Sequence, residues 1–117
     1  MGDMGDNKEL LKAIHEHTRE LRQHIGDVYA GFAQVHRATY ADGALPGKIK
    51  ELMALAIAVH DHCDGCIASH ARGAARKGAT PEEVAETIGV TIQMGGGPAT
   101  IYGPRAWVAY KEFAEEG

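Results

Sequence analysis

Apolar residues recur along this chain at helical spacing, and no segment alternates as a half-buried strand would. Leu10, Leu11, Ile14, Leu21 and Ile25 fall near a 3.6-residue period and predict a first helix over 7–25, with Gly26 as its terminator. Val28, Phe32, Val35 and Tyr40 predict the inward face of a second helix over 27–40. Asp42-Gly-Ala-Leu-Pro46 reads as a turn, and Pro46 suits the first turn of a third helix over 46–60. That helix is apolar nearly all round, through Ile49, Leu52, Met53, Leu55, Ala56, Ile57 and Val59, as a buried central helix would be. Glu51 interrupts it. A fourth helix over 63–77 ends at Gly78. Thr80-Pro81-Glu82-Glu83 combines an N-cap, a proline at the first helical position and a capping-box Glu, opening a fifth helix that runs to about Met94. Gly95-Gly-Gly-Pro98 breaks the chain before a last helix over 98–113. The fold class is all-α: one domain, residues 1–117, built as a bundle of about six helices.

Composition narrows the function. A net charge of −4 leaves no basic footprint for nucleic acid. No apolar run approaches the ~20 residues that span a bilayer, and the polar start Met1–Asp6 is not a signal peptide. Asp6 stands where a myristoylation signal needs Ser or Thr. No membrane partner is expected and the expected location is cytoplasmic, where a disulfide is transient rather than structural. Several strongly apolar helices in 117 residues leave more apolar surface than one small bundle covers, so a homo-oligomer is expected.

The chemistry sits in Cys63-Asp64-Gly65-Cys66, followed by His70 and preceded at twelve residues by Glu51. These are the only two cysteines, at the spacing of a redox dithiol. A bridge across so short a loop contributes only roughly 2 kcal/mol through chain entropy, but it makes a reversible two-electron store. On one helix, positions 63, 66 and 70 line one face. A thiolate in a first turn meets unpaired N–H groups and the positive dipole end, which lower its pKa from ~8.5 into the range ~3.5–7.5. His70 is placed to accept a proton. If the third and fourth helices pack antiparallel, Glu51 returns beside His70 and can orient the imidazole.

Other readings compete. His60, His62, Cys63, Cys66 and His70 offer enough N and S ligands for zinc, so a metal- or redox-responsive binding module without turnover is the alternative from another class. The glycines at 95–97 lack the Lys-Ser/Thr of a phosphate loop and read as a helix–helix turn. Trp107 and Tyr110 read as core or subunit contacts, and His15, His17, His24 and His36 show no constellation.

The pattern Glu51-x11-Cys63-x2-Cys66-x3-His70 resembles the active-site motif of the AhpD-type alkylhydroperoxidases, within the carboxymuconolactone decarboxylase superfamily. Asp42–Pro46, Gly78–Glu83 and Met94–Pro98 agree with it, and the resemblance covers roughly residues 28–110. It implies an all-helical fold assembled as trimers or hexamers. It also implies a thiol peroxidase or disulfide reductase that needs no cofactor. Glu51 and His70 would form a proton relay, Cys63 and Cys66 would cycle between dithiol and disulfide, and a dithiol donor of lipoyl type would reduce them. The decarboxylase branch shares the fold without relying on a cysteine pair. The departure is Gly65, where AhpD carries a His; His60 and His62 are the candidates to replace it.

Overall fold

The computed structural model describes residues 4–116; the first three residues of the polar start lie outside it. Five helices follow in order: α1 (Asn7–Tyr40), α2 (Gly47–His60), α3 (Asp64–Arg76), α4 (Pro81–Gly95) and α5 (Gly97–Ala114). There is no strand among the described residues.

The count is five rather than six because the first two expected helices are one, 34 residues long. Only Ile25 leaves helical geometry, at φ −132° and ψ 43°, so the chain kinks there and runs on. Gly26 does not act as a terminator. A glycine inside a helix costs only about 1 kcal/mol and ends it chiefly by turning left-handed, which Gly26 does not do. Gly78 and Gly96 do, at φ 85° and 72°, and they end α3 and α4.

Leu55, Val59, Ile67 and Val84 form the fully buried centre. Ala58, Ala71, Ala74, Ala106 and Ala109 surround them, and such small side chains let helix axes approach closely. Tyr110 is buried too, its hydroxyl donating to the Ala79 carbonyl at 2.6 Å. A smaller cluster of Leu11, Ala68 and Phe113 ties the start of α1 to the bundle. Glu112 completes that tie by accepting from the backbone N–H groups of Asn7 and Lys8. The Thr80–Glu83 capping box forms as expected.

Two expected burials are reversed. Val28, Phe32 and Val35 do not face inward; they are 65%, 71% and 60% exposed. The kink carries the second half of α1 along the outside of the bundle. Helix α2 is central but not enclosed. Leu52, Leu55, Ala58 and Val59 face the core while Met53 and Ile57 face outward. Beside it runs α4 in the same direction, with Lys48 bridging Glu83 at 3.0 Å near the starts and Gly95 against the His60 ring at the ends.

Candidate active site

The turn before α2 is held by Asp42 Oδ1, which accepts from the Gly47 N–H at 2.6 Å. Lys50 Nζ donates to the Ala41 carbonyl at 2.6 Å, fixing the end of α1 against the start of α2. The link from α2 to α3 is only three residues. It reverses through His62, which takes a left-handed φ of 56°, and the Cys63 N–H then donates to the Ala58 carbonyl at 3.1 Å. Helix α3 therefore returns antiparallel along α2, which brings residue 51 level with residues 70 and 73.

Helix α3 begins at Asp64, so Cys63 is its N-cap rather than its first residue. The Cys63 sulfur accepts from the Cys66 N–H at 3.3 Å, the bond a serine or aspartate cap would make. The two cysteines are joined as a disulfide, with Cα atoms 5.2 Å apart. Cys66 is exposed and Cys63 half-buried. A sulfur at this end of the helix meets N–H groups and the positive dipole end, both of which favour thiolate.

Glu51 is the buried carboxylate of α2. Its Oε1 lies 2.7 Å from His70 Nδ1. The space for the carboxylate is made by Gly73: a β-carbon there would overlap both Glu51 oxygens. Tyr40, the last residue of α1, stacks on the His70 ring at 5.5 Å between centroids. Burial, and then the Glu51 charge, push the Tyr40 phenol above its ordinary range. His36 packs on Tyr40 in turn, the ring centroids 4.6 Å apart. The site therefore gathers Glu51, Cys63, Cys66 and His70 from α2 and α3, and adds Tyr40 and His36 from α1. In the sequence Tyr40 reads as an inward core residue and His36 shows no constellation. Neither belongs to a motif, and only the position of Tyr40 just before the Asp42 turn could have pointed to the site.

The histidines proposed to replace the one absent at residue 65 point elsewhere. His62 stacks on Tyr102 at 4.2 Å, and His60 faces Gly95. The δ-methyl of Ile14, from α1, stands 3.0 Å from where a β-carbon on Gly65 would lie. The five candidate zinc ligands do not converge, and among the described residues no three His, Cys, Asp or Glu side chains cluster to hold a metal. A cleft of about 600 Å³ opens beside the cysteine turn between the starts of α1, α3 and α5. Asp64 lines it, paired with Arg105 Nη1 at 2.7 Å, among the apolar side chains of Leu10, Ile67, Ile101 and Pro104. Among the described residues no helix is long and apolar enough to cross a membrane.

Residues 26–109 match the Carboxymuconolactone decarboxylase family. A crystal structure of an apo carboxymuconolactone decarboxylase family protein from Legionella pneumophila superposes with a TM-score of 0.90 at 36% identity, over 94% of this chain and 98% of that one. An uncharacterized protein of Cupriavidus necator is 39% identical over 101 residues, 86% of this chain and 89% of its own length. Another of Paracoccus denitrificans, "Uncharacterized protein 4 in cox locus", is 37% identical over 81 residues, 69% of this chain and 73% of its own. With the fold, the family match and the cysteine turn in agreement, the chain belongs to the carboxymuconolactone decarboxylase family and has its AhpD-like helical core.

Proposed function

We propose that the protein is a thiol peroxidase or disulfide reductase of the alkylhydroperoxidase type, working in the cytoplasm. The observation that carries this reading is the part-buried Glu51–His70 hydrogen bond, standing one turn along α3 from an exposed cysteine of a disulfide pair. An ionised Glu51 accepts from His70 Nδ1–H and leaves Nε2 free to take a proton, as the third group of a triad does. In the reduced protein His70 draws the proton from the Cys66 thiol. The thiolate attacks the distal oxygen of a hydroperoxide, breaking the O–O bond; it becomes a sulfenic acid, and the departing alkoxide takes the proton and leaves as alcohol. The Cys63 thiol condenses with the sulfenic acid, expelling water and closing the disulfide. A dithiol donor restores the pair through a mixed disulfide and is itself oxidised. A lipoyl-type dithiol suits the apolar cleft beside Asp64, and no prosthetic group is required.

The test is peroxide-dependent oxidation of a small dithiol by the wild-type protein and by Cys63→Ser and Cys66→Ser. Loss in both variants is expected, and full activity in both would sink the reading.

A further inference from the structure

Both chain neighbours of Cys63 are held from α5. Tyr102 and Arg105 stand three residues apart on that helix, a spacing that puts them on one face. The Tyr102 ring stacks on His62, with centroids 4.2 Å apart and planes 8° from parallel. Arg105 reaches past Cys63 to the next residue, its Nη1 donating to Asp64 Oδ1 at 2.7 Å. Its guanidinium also lies over the Tyr102 ring, 4.9 Å from the centroid. One cluster on α5 thus meets the residue before and the residue after the sulfur that caps α3. The Glu51–His70 pair uses none of these groups.

Asp64 brings a conflict to the turn. As the first residue of α3, its negative charge suits the positive end of the helix dipole. The same charge sits between the two cysteines in sequence and opposes a thiolate on either. Asp61 adds to it from the end of α2, and Asp6 from the wall of the cleft. The other titratable groups around the turn are already engaged. His62 stacks on Tyr102, His70 bonds to Glu51, and Tyr40 with His36 packs behind the His70 ring. From α1 the neighbour over Gly65 is Ile14, which carries no charge, and Lys8 pairs with Glu116. Among the described residues that line the cleft, Arg105 is the only cation.

The two side chains of this pair are 41% and 53% exposed, and an exposed ion pair contributes little to stability. Its effect falls on the cysteines instead. Stacking on Tyr102 keeps the guanidinium beside the carboxylate rather than free in solvent. We propose that Arg105 is a positioning residue of the cysteine pair: it holds the Asp64 carboxylate and offsets its charge, so that α3 keeps an acidic first turn and still favours a thiolate. This rests on Cys63 and Cys66 being working thiols, and it gives them a second source of activation besides His70.

The experiment follows alkylation of the reduced protein by iodoacetamide across pH at low salt, with circular dichroism as the check on folding. For charges a few ångströms apart near a protein surface, Arg105→Gln is expected to slow alkylation at neutral pH roughly two- to tenfold, with the thiol titration moved to higher pH. Arg105→Lys keeps the charge and should stay close to the wild type. Asp64→Asn should move the titration to lower pH. The double variant Asp64→Asn/Arg105→Gln should return near the wild-type curve, since both charges are gone. In ~1 M salt, where screening acts within about 3 Å, the Arg105→Gln shift should shrink. An unchanged titration in Arg105→Gln overturns the proposal. So does a double variant as slow as Arg105→Gln, which would make the loss structural, or a shift that salt leaves intact. No peroxide or dithiol donor enters the assay, so its result stands apart from the peroxidase reading and from any failure of that reading.

Discussion

Glu51 and His70, nineteen residues apart, meet at 2.7 Å between Oε1 and Nδ1, and the carboxylate has almost no other exposure. A bond of this kind fixes both the imidazole ring and its tautomer.

If the pair moves the cysteine proton as a unit, Glu51→Gln should slow thiolate formation far more than it harms folding, since Gln keeps the volume and most of the hydrogen bonding. The expected loss is on the order of 10²–10⁴, the usual contribution of general acid–base help. His70→Ala should cost about as much, and the double variant little more than either. The measurement is the pH dependence of cysteine alkylation in the reduced protein. An unchanged thiol titration in both single variants would leave the helix N-terminus as the main activating element.

Gly73 should be as sensitive as the pair it shelters. A β-carbon at residue 73 overlaps the Glu51 carboxylate. Gly73→Ala is therefore expected to destabilise by ~1–3 kcal/mol, as overpacking does. In a Glu51→Ala background the obstruction is gone, and alanine regains the roughly 1 kcal/mol that glycine loses inside a helix. The same substitution should then be neutral or stabilising. Urea denaturation of the four proteins checks this, and an equal loss in both backgrounds would refute it.

The sequence carried the all-α class, the helix breaks at Gly78 and Gly96 and the Thr80 cap, because each is a local event with its own residue chemistry. Periodicity could not tell an inward face from an outward one. Val28, Phe32 and Val35 keep helical spacing whether they meet their own core or another surface, and only the kink at Ile25 decides which. The meeting of Glu51 with His70 was legible because a three-residue link forces α3 back along α2. Tyr40 was not, since its approach depends on where a 34-residue helix ends in space. Nor could residue types show that Ile14 stands over Gly65.

Tyr40 should make the protein sensitive to alkali. Burial first, and the Glu51 charge second, raise its phenol above the ordinary value. An unfolded tyrosine ionises near pH ~10. Above that pH the unfolded chain gives up its proton while the folded one keeps it, so the stability from Tyr40 is complete below pH ~10 and is lost as pH rises through the higher folded value. Tyr110, raised by burial and then by Glu82 and Glu83, adds to the same loss. Denaturation curves at neutral pH and above pH ~10 should show a smaller alkaline loss in Tyr40→Phe than in the wild type. An identical loss would mean that the stacked phenol ionises freely.

The placement of the two cysteines at the start of α3 predicts an order for them. Cys66 is exposed and lies one helical turn before His70, whereas Cys63 is half-buried and caps the helix through its sulfur. Cys66 should therefore attack the peroxide and Cys63 should resolve. In Cys63→Ser the hydroxyl can take over the cap, so folding is kept, while the sulfenic acid formed on Cys66 has no thiol to condense with. One equivalent of peroxide should then leave a sulfenic acid on Cys66 that a carbon-acid trapping reagent labels, as mass spectrometry of the peptide would show. Cys66→Ser should consume peroxide slowly and trap little label. Fast trapping at Cys63 in Cys66→Ser, with none at Cys66 in Cys63→Ser, would reverse the order and make the N-cap sulfur the nucleophile.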